Sequence, residues 1–145
     1  MSEYGALKFS AISGADEQVR LLYGLLQQRQ HVISHQIMPS YEEHEQFVKN
    51  HPYRAWYLVY SNANLIGHVY ILNDNCLGLN LVTITPEYVS ACIEFIKNTY
   101  EPMPAIKSVR PGFFFVNVAP GNMALKQALE QLNSTLIQHT FALKD

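Results

Sequence analysis

At 145 residues the chain has the length of one domain and can bury a core without disulfide or metal staples. Only 15% of its residues are charged and the formal net charge is -2, with no run of like charges, which argues against a nucleic-acid or anionic-membrane surface. Cys76 and Cys92 sit in apolar surroundings without a CxxC pairing, no apolar run reaches the ~18 residues of a membrane span, and MSEYGALKFS lacks a signal peptide's basic-then-apolar plan. A cytoplasmic, soluble protein with reduced thiols is expected.

In chain order, an apolar stretch from Ala6 to Ile12 leads into SGADEQVRLLYGLLQQRQ, where Val19, Leu22, Leu25 and Leu26 recur at helical spacing behind the start signals Ser13 and Asp16. A second, short helix begins in SYEEHEQFVKN, where Ser40 and Glu43 have the spacing of a capping box, and it stops near His51-Pro52. RAWYLVY, NLIGHVYIL and CLGLNLVTI, separated by SNAN and NDN, read as three strands of an antiparallel meander. TPEYVSACIEFIKNTYE predicts a third helix with Thr85 as N-cap and Pro86 at its first position. After a connection containing Pro102, Pro104 and Pro111, GFFFVNVA reads as a strand buried on both sides. NMALKQALEQLN reads as a fourth helix and STLIQHTFAL as a last strand. The expected fold is α/β (α+β): a single domain over residues 1–145, with one mixed, mostly antiparallel sheet of six to seven strands flanked by about four helices.

This order, with RQHVISHQIMPSYEEHEQFV, NLIGHVYIL and FFFVNVAPGNMALKQALEQLNSTLIQHTFAL, resembles the GNAT superfamily of acyl-CoA-dependent N-acyltransferases, and within it the branch that acetylates amino sugars. The resemblance covers almost the whole chain. It implies acetyl-CoA or another acyl thioester as donor, held by the strand end at Leu81, Val82 and Thr83 and by Asn117 and Asn122, with a small-molecule amine as acceptor. Two departures stand out. The family's Arg/Gln- and Gly-rich pyrophosphate loop has no counterpart in LGLNLVTITPEYVSACIEF, where Pro86 removes a backbone donor and Glu87 adds negative charge. The position of the family's general-acid tyrosine corresponds to Leu129, which has no transferable proton.

His44 shares a helix side with Tyr41, Phe47 and Val48, and it reads either as a packed, hydrogen-bonded histidine or as a general base. His68, alternating with Ile66 and Tyr70, is the second candidate base. His35 precedes the cap and is a candidate substrate contact, with a solvated loop residue as the alternative; Tyr53, in HPYRAW, is a candidate for the mouth of a pocket. Asn122 also reads as a plain helix cap. No metal site is expected, since His35 and His44 lack helical-pair spacing and a third ligand. Two functions stay open: an N-acyltransferase and a non-catalytic binding or assembly module of the same fold. A homodimer is left open as the assembly.

Overall fold

The computed structural model describes residues 2–29 and 38–144. A hairpin opens the chain: β1 (Ser2–Tyr4) turns through Gly5, at φ +57, into β2 (Leu7–Ala11). Helices α1 (Asp16–Gln28) and α2 (Tyr41–Lys49) follow, then β3 (Ala55–Ser61), β4 (Asn64–Ile71), β5 (Cys76–Leu81), α3 (Pro86–Thr99), β6 (Phe115–Val116) and α4 (Met123–Gln131). The strands lie in chain order in one mixed sheet. Five run antiparallel, and β6 joins β5 in parallel through two residue pairs.

The helix starts show how local chemistry selects each boundary. Ser40 accepts the Glu43 N–H while the Glu43 carboxylate accepts the Ser40 N–H, so the predicted capping box of α2 is formed. Thr85 caps α3 by accepting from the Tyr88 N–H, ahead of Pro86. At α1 neither Ser13 nor Asp16 acts as cap. The Gln18 side chain instead reaches back and accepts from the N–H groups of Ser13 and Gly14.

Periodicity sorts the apolar residues onto two faces. Phe9, Val59, Val69, Ile71, Leu79 and Leu81 point to the side covered by α3 and α4, where they meet Val89, Cys92, Phe95, Ile96 and Leu125. Trp56 and Leu58 point to the other side, against Val19, Leu22 and Leu25 of α1 and Val48 of α2. Each fully buried side chain of this kind contributes about 1.5–3 kcal/mol relative to exposure. Phe9 and Phe95 stack at 4.1 Å between ring centres and fix α3 to the sheet.

The last third of the chain departs from its sequence pattern. Of GFFFVNVA only Phe115–Val116 is a strand, half-buried, with Phe113 exposed. STLIQHTFAL forms no strand: Leu136, Ile137, Phe141 and Leu143 are exposed, because a two-residue β6 is too short a template for a further ladder. The expected six to seven strands are therefore corrected to an antiparallel five with the two-residue β6 as a short parallel addition.

Asn75 determines where β6 is held. It is completely buried at φ +78, and its amide donates to the carbonyls of Met103 (2.9 Å) and Pro111 (2.7 Å) while accepting the Met103 N–H (2.7 Å). Its own carbonyl accepts the Phe115 N–H at 3.2 Å. Asn75→Ala should lose about 3 kcal/mol, since it orphans buried groups of the connection and puts alanine, which tolerates the left-handed region less well than asparagine, at a positive φ. Ser40→Ala should lose about 1 kcal/mol. Urea denaturation of both variants checks the ranking, and equal midpoints would contradict it.

Candidate functional site

The edge of β5 carries the geometry that matters. Two backbone bonds, Val82 N–H to Ile66 C=O (2.7 Å) and Leu72 N–H to Cys76 C=O (2.8 Å), fix the phase of the β4–β5 ladder, so that His68/Asn80 and Tyr70/Gly78 are its hydrogen-bonded pairs. Leu77, Leu79 and Leu81 consequently turn their N–H and C=O groups away from β4. Leu77 meets Val116, the last pair with β6. Beyond it the two strands part, and the backbone groups of Leu79 and Leu81 face the opening.

A cavity of about 440 Å³ occupies that opening, a size suited to a small ligand. Its walls come from both sides of the sheet: Leu25 and Arg29 at the end of α1, His68 of β4, Asn80 and Leu81 of β5, and Asn122 at the start of α4. The Ile66-Gly67 step has a steric reason here. It lies beside the β3–β4 register shift, and a Cβ at Gly67 would come within 2.1 Å of the Asn80 carbonyl. Gly78 is required likewise, because the Tyr70 ring lies across it, where a Cβ would fall 2.1 Å from the ring.

His68 is held in one tautomer. Its Nδ1 accepts the Trp56 indole N–H at 3.1 Å, so the proton of the neutral ring is on Nε2. Burial, then the charges of Arg29 and His44, lower its pKa to about 4. Around neutral pH the ring is thus uncharged and offers a donor. Accepting a proton at Nδ1 would sacrifice the Trp56 bond, which is poor chemistry for a base. Behind it stands an aromatic wall in which Tyr53 stacks on Tyr70 at 4.2 Å and meets Trp56 edge-on.

The residues singled out in the sequence separate clearly. His68, Leu81, Val82 and Asn122 line the cavity, whereas Thr83 is exposed beside it and is not part of its wall. The Val82 N–H is used by Ile66, so Leu81 is the outward-facing donor of the expected trio. Asn122 caps α4 by accepting the Leu125 N–H, and Asn117 donates to the Cys76 sulfur at 3.5 Å, away from the cavity wall. His44 is buried between α1 and α2, donating Nε2–H to the Val19 carbonyl at 2.9 Å beside Tyr23; burial lowers its pKa against that bond. Tyr53 belongs to the wall behind His68, and its phenol pKa is raised, mainly by burial. His35 lies outside the described residues. Leu129 packs on the core. Arg29 was missed as a site residue, although it opens the stretch RQHVISHQIMPSYEEHEQFV; its position at the C-cap of α1, facing the cavity, depends on the tertiary fold.

Two further features bear on ligands. The start of α3, next to Val82 and Ile84 of the cavity wall, has its donors reduced by Pro86 and by the Thr85 cap, and Glu87 is exposed in its first turn. Among the described residues no group of three or more His, Cys, Asp or Glu could hold a metal ion, and no helix is long and apolar enough to cross a membrane.

No protein-family model and no curated protein matches the sequence. Among solved structures, the chain is similar to a possible acetyltransferase from Clostridium difficile 630, with a TM-score of 0.58, 11% identity, and coverage of 97% of this chain and 98% of that one. An aminoglycoside acetyltransferase from an uncultured soil metagenomic sample, solved in complex with sisomicin, aligns with a TM-score of 0.46 and 14% identity over 96% and 97% of the two chains. The first likeness shows a shared fold over nearly the whole of both chains.

The depressed pKa of His68 sets a pH dependence of stability. The unfolded chain binds this proton near the ordinary histidine pKa of 6.5 and the folded one only near 4, so stability is complete above 6.5 and is lost as pH falls toward 4. The contribution is at most about 3 kcal/mol. Guanidinium denaturation at pH 7 and pH 4.5 should show a smaller loss for His68→Gln than for the parent protein. An identical pH slope would refute the assignment.

Proposed function

We propose that the protein is an N-acyltransferase that moves an acyl group from a thioester to a small amine in the cavity beside β5. The observation that carries this reading is the parting of β5 and β6 after Leu77 and Val116, which turns the backbone of Leu79 and Leu81 toward a small-molecule-sized space. In a thioester aligned along that edge, the carbonyl oxygen would accept from the Leu81 N–H, a fixed donor for the charge that develops on attack. The amine nitrogen adds to the carbonyl carbon, the C–S bond breaks, and the thiolate departs with the bond's electrons. The ammonium proton goes to water and the thiolate is protonated by solvent, since Leu129 supplies no acid.

His44 and His68 were both candidate bases. In this reading His44 ties α1 to α2, and His68 orients substrate through Nε2–H. Asn122 stands at the thioester side, while Asn117 supports β5 through Cys76. Amino sugars are the first acceptors to assay. Tyr53 and His35 stand as further substrate-side candidates, Tyr53 acting through Tyr70 and Trp56.

The fit to acyl-CoA divides along the molecule. The free β5 edge suits the acyl-pantetheine arm, whereas the start of α3 does not suit a pyrophosphate, because Pro86 and Thr85 leave few donors and Glu87 opposes an anion. This second feature also supports the alternative of a non-catalytic module. Acetyl-CoA is accordingly expected to bind in the high micromolar range, roughly 5–6 kcal/mol of binding free energy. Titration calorimetry tests this, with thiol release in the presence of glucosamine as the activity readout. Glu87→Gln should tighten binding by about 2- to 5-fold, the size of a helix-terminus charge effect. Neither binding nor thiol release at millimolar acetyl-CoA would remove the enzyme and leave the module.

A further inference from the structure

The stretch that follows α4 is apolar, extended and uncovered. Residues 134–144 are exposed throughout and form neither helix nor strand, yet they include Leu136, Ile137, Phe141 and Leu143, which are between 61% and 97% exposed. The side-chain contacts of this stretch are local: Ser134 Oγ donates to the Leu129 carbonyl at 2.6 Å, Gln138 donates to Thr140, and His139 stacks on Phe141. Asn133, in the left-handed region at φ +60, and the Ser134 bond fix the exit from α4, so the stretch leaves the body of the protein. A matching surface lies at the outer edge of the sheet. There β6 is the last strand, and its Phe115 N–H points to the Asn75 carbonyl, so the backbone of Phe114 and Val116 faces away from β5. Phe113, just ahead of it, is half exposed. Charged side chains are a usual protection of sheet edges against other strands, and neither GFFFVNVA nor STLIQHTFAL contains Asp, Glu, Lys or Arg. Both halves of a contact are thus on this chain, and neither carries a charge that keeps them apart.

We propose that the protein is a two-fold dimer in which residues 135–143 of each copy lie along the β6 edge of the other. Two residues of edge are too few to hold a strand by backbone pairing alone, so side chains carry the docking. The alternation of an extended chain puts Ile137, Phe141 and Leu143 on one face, and that face covers Phe113 and its neighbours. Each such side chain carries roughly 60–120 Å² of apolar surface. The four of each copy, with the surfaces they cover, bury on the order of 1,000–2,000 Å² in the dimer, the size of a stable and specific interface. A second copy is the occupant because the exchange is reciprocal: each chain gives one segment and receives one, so the contact closes with no edge or segment left over. The dimer does not depend on whether the cavity is catalytic.

Sedimentation velocity of the intact protein tests this. The parent protein should sediment as a dimer at about 10 μM. A segment variant carrying Ile137→Lys and Phe141→Lys, both at exposed positions, should be a monomer, and Phe113→Lys on the receiving edge should raise the dissociation constant at least about tenfold. Circular dichroism checks that both variants fold. A fluorescently labelled segment variant, monomeric alone, should gain a partner when mixed with excess Phe113→Lys protein, whose intact segment meets the variant's intact edge. Two segments that paired only with each other would give no such rescue. A monomeric parent protein, a dimer that survives the segment variant, a dimer indifferent to Phe113→Lys, or a mixture without rescue overturns the proposal.

Discussion

A buried asparagine controls how this sheet ends. Asn75 gathers the Pro-rich connection onto the start of β5 through three side-chain bonds, and its carbonyl begins the pairing of β6 with β5. Each of those groups would be costly to leave unsatisfied in the interior, so the connection is held at one point and β6 starts beside Cys76. From there the strands are free to diverge. Two pairs suffice to close the core above α3, and the next two outward-facing residues of β5 keep their backbone toward a cavity. The site is therefore a consequence of where one strand is pinned and how soon it is released.

That release joins two environments that the sheet otherwise separates. The α3/α4 side is apolar down to Leu79 and Leu81, while the α1/α2 side carries aromatic rings, His68 and Arg29. At the open edge of β5 they become one space. A donor lying on the apolar side and an acceptor held on the polar side could meet there without crossing the sheet, which suits transfer between two substrates. The histidine at the junction is neutral because burial opposes its charge and Arg29 repels it. Its orientation is set by the Trp56 bond, which leaves the Nε2–H of the neutral ring as its donor.

The start of α3 illustrates how local rules and binding can conflict. Thr85, Pro86 and Glu87 are good choices for beginning a helix, and α3 is firmly packed through Val89, Cys92, Phe95 and Ile96. The same choices consume or remove the backbone donors that an anionic ligand would need. Cys92, in the middle of that face, is a core residue, its thiol pKa pushed up to about 12 by burial. Stability of the helix and affinity for a pyrophosphate thus compete for the same few N–H groups.

The sequence by itself determined the elements whose signals are local. The Ser40–Glu43 box, the Thr85-Pro86 start, the alternation of β3 and β4 and the helical face of α4 are all readable, since each depends on neighbours within a few residues. The order of elements followed from them. Segments whose state depends on a distant partner were legible only in part: GFFFVNVA is a strand at Phe115–Val116 alone and STLIQHTFAL forms none, since strand composition needs a ladder to pair with. The same distinction holds in the site. His68 was legible from its place in an alternating strand, and Asn122 from its place ahead of a helix. His44 was legible as inward-facing, but its Val19 partner on another helix was not. Only the tertiary structure decided that Arg29 and His68 share a cavity, that Trp56 fixes the histidine's tautomer, and that Leu79 and Leu81 rather than Val82 turn their backbone outward. Those facts depend on register and on helices meeting across the sheet, neither of which any local stretch of sequence encodes.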